Sequence, residues 1–385
     1  MMRAVFVNGG ILGLASFHNF LSETLPRQNA IQGTQVRLTD NLSVLDRVIR
    51  RALCQRVWVD GTLGLRNIDL ARFRHELHSG VLARRRIAAL GPERFDVLHF
   101  HCQATAYGSL DLMRTIPSVI SIDCTQDGVL QEATSSAERA SYVPNIRMDG
   151  VIFRRAAAVI AASHWASASL RRRYPSCVTP VYVLPNPVLL RHFDPRWPEE
   201  RRLRSGAGAQ PRLLFVGGDF VRKGGPDLLD AWRAGGLHEF ASLEIVTDWP
   251  VGESLPPGVT ITRGVAAHSA AWRACWARAD AFVLPTRNDA FGQVYQEAAA
   301  AGLPTIGTRT NAVPEIVMEG ETGLLVPARD VPSLVAAMRA VVSDPALRHR
   351  MGMRARQIIE EVASPEIYMA RLTEILTKAA ERKTS

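Results

Sequence analysis

The sequence predicts an α/β protein made of two doubly wound parallel sheets, and three observations lead there. Short β-branched or apolar runs alternate with longer segments of helical period, the pattern of strands covered by helices on both faces. The 385 residues exceed what one hydrophobic core usually serves, since single domains rarely grow beyond ~250 residues. A stretch rich in proline, glycine and serine then interrupts the alternation midway.

In the first half, strands are expected at Ala4 to Val7, Asp96 to Phe100, Ser118 to Ile122, Ala158 to Ala161 and Val181 to Leu184. In the second half they are expected at Leu213 to Val216, Leu243 to Val246, Val259 to Thr262, Ala281 to Leu284 and Pro304 to Gly307. Between the halves, Pro195, Pro198 and Ser205-Gly206-Ala207-Gly208 give residues 189–210 the composition of a linker. The expected domains are therefore 1–188 and 211–365. From Ile367 to Ala380, Leu372, Ile375, Leu376 and Ala379 recur at helical spacing, so a helix over about 366–385 is expected to pack back on the first domain. Open α/β sheets bind ligands beyond the carboxyl ends of their strands, which puts the expected active site in an interdomain cleft.

Composition narrows the function classes. At 47% hydrophobic and 22% charged residues, the chain has enough apolar side chain for sizeable cores, which excludes intrinsic disorder and collagen. The cysteines, Cys54, Cys102, Cys124, Cys177 and Cys275, are scattered without a C-x-x-C pair, so they read as buried thiols rather than as a zinc site, a redox pair or a disulfide framework. No apolar run approaches the ~20 residues of a membrane span, and the first residues show no cleavable signal pattern. A cytoplasmic protein is expected. The net charge of +9 is spread among acids, and runs such as Arg84-Arg85-Arg86 and Arg171-Arg172-Arg173 read as solvated helix faces, so no nucleic-acid partner is expected. Arginines flanked by apolar residues keep peripheral contact with the inner membrane face as a lesser reading.

Of the 46 basic residues only Lys223, Lys378 and Lys383 are lysines. Lys223 is thus the only lysine in the body of the chain, where a compact point charge suits phosphate better than a planar fork does. Its setting agrees: the buried strand Leu213-Leu214-Phe215-Val216 ends in Gly217-Gly218, turns, and delivers Arg222 and Lys223 just before a helix that starts near Pro226. Turn N–H groups, a helix N-terminus and a lysine together form an anion cradle. A second cluster follows Leu284. The loop Pro285 to Asp289 carries polar groups, and an alanine-rich stretch from about Gly292 reads as helix until Gly302 ends it. Asp289 and Glu297 lie eight residues apart across that helix start, so both carboxylates can face one cleft beside the free N–H groups near Phe291 and Gly292.

Arg222-Lys223-Gly224, the two acids around Phe291-Gly292, and Ala312-Val313-Pro314-Glu315-Ile316-Val317 followed by Gly320 and Gly323-Leu324-Leu325-Val326 together resemble glycosyltransferase family 4. The resemblance covers roughly residues 211–345, with Asn186 matching the family's interdomain crossover. It implies the GT-B fold, two Rossmann-like domains facing a cleft, and a hexosyltransferase that moves sugar from a nucleotide-diphosphate donor, UDP or GDP type, to an acceptor hydroxyl with retention of configuration. No metal and no cofactor are implied, and the acceptor, whether carbohydrate, lipid-linked or small molecule, is left open. By the same resemblance Lys223 pairs with the donor diphosphate, Asp289 contacts the donor sugar and Glu297 holds the ribose. The backbone from Ala290 through Phe291 to Gly292 faces sugar or phosphate, and Gly9 and Gly10 form the N-terminal glycine loop.

The chain departs from the family pattern at three positions. The first acid is Asp289 rather than glutamate. Gly218 stands where many members carry a diphosphate-clamping arginine, which leaves Arg287 or Arg222 as substitute, Arg287 being preferred because its loop precedes the acids. Asp123 stands where many members have a histidine near the reacting carbon; it either takes that polar role or caps a turn. His101 at a strand end is favoured over His99 for the cleft, and His18 on a helix after the glycine loop reads equally as acceptor contact or structural residue. The alternatives are a sugar-nucleotide epimerase on the same fold and a non-catalytic nucleotide- or membrane-binding module. A nicotinamide dehydrogenase is disfavoured because Gly9-Gly10-x-x-Gly13 lacks the G-x-G-x-x-G turn.

Overall fold

A computed structural model describes residues 1–9, 13–40, 42–55, 68–91, 95–131, 133, 135–252 and 254–382. The chain divides into two compact units, Met1–Pro187 with Glu366–Ser385, and Val188–Pro365.

The first unit holds a sheet of β1 (Met2–Asn8), β2 (Ile31–Arg37), β3 (Val97–His101), β4 (Ser118–Ile122), β5 (Ala158–Ala161) and β6 (Val181–Val183) in the order β2-β1-β3-β4-β5-β6. Every pairing is parallel. The central strands β3, β4 and β5 are buried at every position, because helices cover both faces. Val5, Val7, Leu98, Phe100, Ile120 and Val159 fill one core. The helix Pro365–Glu381 belongs to this unit, with Tyr368 edge-on to Phe20 at 5.3 Å and to Phe17 at 5.8 Å.

The second unit holds β7 (Arg212–Val216), β8 (Ser242–Val246), β9 (Val259–Thr262), β10 (Ala281–Val283), β11 (Thr305–Thr308) and β12 (Gly323–Val326) in the order β12-β11-β10-β7-β8-β9, again all parallel. Each sheet thus has one strand more than the sequence pattern indicated, β2 in the first and β12 in the second.

Residues 189–210 are not the loose linker that their composition suggested. Trp197–Gly206 is a helix, and its Arg201 is buried, donating to Ala301 O (2.7 Å), Gly302 O (3.2 Å) and Trp276 O (3.0 Å). Pro198 sits in the first turn, where a missing N–H costs nothing. Among the described residues no helix is long and apolar enough to cross a membrane.

Candidate active site

In the second sheet the chain leaves β7 toward β8 on one side and β10 toward β11 on the other. Adjacent strands whose connections diverge open a crevice at their carboxyl ends, which is where α/β sheets place ligands. The two loops that carry the chemistry leave these two strands.

The loops are stitched together. Arg287 N donates to Arg222 O (2.9 Å), and Arg222 Nη1 donates to Asn288 O (2.7 Å). Gly224 adopts φ +80°, and a Cβ there would lie 1.9 Å from Pro285 O, so only glycine lets the loops approach this closely. Tyr295 OH donates to Leu284 O and Thr308 Oγ1 to Thr286 O, both at 2.7 Å. Asn311, in the left-handed region at φ +49°, donates from Nδ2 to Asn288 Oδ1 (2.6 Å) and Asp289 O (3.1 Å). The sequence reading missed Asn311; the only signal was an asparagine in a turn ahead of a proline-started helix, Val313–Ile316.

On this scaffold the Lys223 ammonium pairs with Asp289 Oδ2, the two side chains being only 14% and 12% exposed. Glu297 stands half-buried on the helix Gln293–Ala300. Burial pushes its carboxyl up to about 8, with the nearby Lys223 charge pulling it back. The helix starts at Gly292, φ +74°, with no side-chain cap, and Asp289 Oδ2 lies 3.3 Å from where a Cβ on Gly292 would be, so the positive end of the helix sits beside that carboxylate. Phe291 is buried beneath this turn and Ala290 is half-buried beside it. One cation, two carboxylates and a helix N-terminus converge at the switch point, an arrangement that can hold an anion and several hydroxyls together.

The other expected residues are placed differently. Arg287 commits Nε (2.9 Å) and Nη2 (2.6 Å) to Asp227 on the helix Gly225–Ala234, and Arg222 bonds Asp219 at 3.2 Å as well as Asn288. Both arginines brace the loops. Gly218 is exposed, with no atom within 4 Å of where its Cβ would lie. Gly10 lies outside the described residues.

Asp123 and His101 belong to the first unit. Asp123 is exposed just past β4. His101 ends β3 but is buried, its ring stacked on Phe17 at 3.7 Å, and burial holds it far below its ordinary pKa, hence neutral. His99 is buried too, with Nε2 at 2.7 Å from Ser121 Oγ. His18 is half-buried. Behind these strand ends lies a polar network that the sequence did not reveal. Tyr107 OH donates to Asp149 Oδ1 (2.5 Å), Gln126 Nε2 donates to Asp149 Oδ2 (3.2 Å), and Asn145 Nδ2 donates to Glu76 Oε2 (2.5 Å). Burial, with the Glu76 charge adding to it, raises Asp149 to about 7 against these hydrogen bonds.

Two family profiles match the chain, Glycosyltransferase Family 4 over residues 44–191 and Glycosyl transferases group 1 over residues 210–344. Glycogen synthase from Mycobacterium tuberculosis is 28% identical over 316 residues, 76% of this chain and 74% of that one. D-inositol 3-phosphate glycosyltransferase from Arthrobacter is 29% identical over 300 residues, 72% and 70% of the two chains. Among solved structures, sucrose-phosphate synthase from Thermosynechococcus elongatus superposes with a TM-score of 0.75 at 18% identity, covering 97% of this chain and 98% of that one. HepE from Anabaena, solved with UDP and glucose, gives 0.66 at 15% identity, covering 98% and 100%. With both halves matched and each sheet wound as the GT-B fold requires, the chain belongs to glycosyltransferase family 4 and is a glycosyltransferase.

Proposed function

We propose that the protein transfers a hexosyl group from a nucleotide-diphosphate sugar to an acceptor hydroxyl, with retention of configuration and without a metal. The observation that carries this reading is the Lys223–Asp289 pair at the sheet switch point, beside an uncapped helix start. In the donor complex Lys223 exchanges Asp289 for the diphosphate and supports the charge that grows there as the C–O bond to the sugar breaks. The freed Asp289 carboxylate accepts hydrogen bonds from sugar hydroxyls, and Glu297, on the next helix, serves the ribose. The acceptor oxygen bonds to the anomeric carbon on the face the diphosphate leaves, and its proton passes to a diphosphate oxygen, so charge balances without a dedicated base. HepE, which shares the fold, was solved with UDP and with UDP-glucose, and that supports a uridine donor as the first choice to test.

Thermal stabilisation by a panel of nucleotide sugars in chelator tests the reading, because a ligand that binds the native state raises the melting temperature by mass action. A selective shift for one nucleotide class, lost in Glu297→Ala, is the expected result. Absence of any shift at saturating nucleotide would sink the donor site.

A further inference from the structure

The helix Val44–Leu53 in the first unit has two unlike sides. Asp46 accepts from Arg85 of the helix Ala71–Ala88 at 3.3 Å, and Arg74 of that helix donates to Leu53 O at 3.3 Å. Asp46 and Leu53 are two turns apart, so their side faces the neighbouring helix. The opposite side carries Val44, Val48 and Arg51, with Leu45 and Ala52 along one flank and Arg47 along the other. Val44 is 69% exposed, Leu45 66% and Val48 59%. Single exposed aliphatics are ordinary, but three on one strip of one helix form a patch.

The charge on this side has one sign. Asp46 is the only acid in the helix, and it is buried, capped by Ser43 and paired with Arg85. Arg47 and Arg51 face outward beside the aliphatics. A protein-binding hot spot favours large aromatic anchors in a shaped pocket. Short aliphatics in a strip, edged by arginines, suit instead the boundary between phosphate headgroups and acyl chains.

We propose that this helix docks on an anionic lipid bilayer, lying in the headgroup plane with Val44, Leu45 and Val48 in the acyl boundary and Arg47 and Arg51 on lipid phosphates. The full chain is sedimented with phosphatidylcholine vesicles containing about one third phosphatidylglycerol, and with phosphatidylcholine alone. Binding is expected only to the anionic vesicles and is weakened by added salt. The pairs Val44→Ser with Val48→Ser, and Arg47→Gln with Arg51→Gln, are each expected to lower partitioning about tenfold, with circular dichroism and thermal transition unchanged because the sites are exposed. Equal binding to both vesicle types, or full binding by both variants, overturns the proposal. A dimer in sedimentation velocity that Val44→Ser with Val48→Ser dissolves, without vesicle binding, also overturns it and assigns the face to a second copy of the chain.

Discussion

The Lys223–Asp289 pair separates what holds the site from what works in it. Each side chain is nearly buried and each is the other's counter-charge. Lys223→Ala therefore leaves a carboxylate without its cation and is expected to cost about 3 kcal/mol of stability, besides removing transfer. Adding Asp289→Asn removes the stranded charge, so the double variant is expected to recover most of that stability and none of the activity. Denaturant melts and single-turnover transfer on the cycle decide this; recovery of both would make the pair purely structural. Glu297 gives a pH test. Its carboxyl is raised to about 8, so the folded state binds a proton that the unfolded chain releases in the ordinary glutamate range. The resulting stabilisation is fully present below that range and is lost as pH rises through about 8. Glu297→Gln is expected to flatten stability between those limits, measured by urea melts across pH. At this scale the sequence disclosed Lys223, because it is the only lysine in the body of the chain. It did not disclose Asn311, whose grip on Asn288 and Asp289 depends on a left-handed backbone and on partners more than twenty residues away.

At the level of elements, two glycines in one turn make a controlled comparison. A Cβ on Gly224 would strike the Pro285 carbonyl at 1.9 Å in a φ +80° conformation, whereas Gly218 faces open space at ordinary φ. Gly224→Ala is expected to cost about 3 kcal/mol and to displace Lys223, while Gly218→Ala stays within about 0.5 kcal/mol. Melting of both variants, with donor binding as second readout, checks the contrast. The helix that carries Glu297 is fixed at its far end by buried arginines. Arg201 donates to Ala301 O and Gly302 O, and Arg356 Nη1 donates to Ala300 O at 2.6 Å, so the terminal carbonyls that a helix cannot satisfy itself are taken up by guanidinium forks. That explains part of the chain's preference for arginine, and it was not legible in advance, because the helix holding Arg201 lies in a stretch that reads as linker. All the central strands were legible, and so were two of the four edge strands, β6 and β9. The runs that became β3, β4, β5, β7 and β10 are mostly apolar because both faces are covered. The two that escaped notice, β2 (Ile31–Arg37) and β12 (Gly323–Val326), are edge strands. β2 has one flank open and mixes polar residues and a glycine into its sequence, whereas β12 is short and begins at a glycine that a Cβ would drive to 1.9 Å from Thr305 O.

For the whole molecule, the chain passes from the first unit to the second near Pro187 and returns near Pro365. The second unit is one continuous segment, while the first needs the C-terminal helix to be complete. That helix buries Tyr368, Met369, Leu372, Ile375, Leu376 and Ala379 at about 2% exposure or less, and Tyr368 closes the ring cluster around Phe17, on which His101 is stacked. Each buried large apolar side chain contributes about 2 kcal/mol, and a domain's net stability is only about 5–15 kcal/mol, so losing this helix is more than the first unit can absorb. Deleting residues 366–385 is therefore expected to abolish the cooperative transition of the first unit. The transition of Val188–Pro365 should survive near its original temperature, because the residues of its hydrophobic core all lie within that segment. Differential scanning calorimetry resolves the outcomes, and nucleotide stabilisation of the surviving transition adds a second readout, since Lys223, Asp289 and Glu297 all lie in the continuous segment. Loss of both transitions together would show that the units fold as one, and survival of both would show that the helix contributes little to the core it covers.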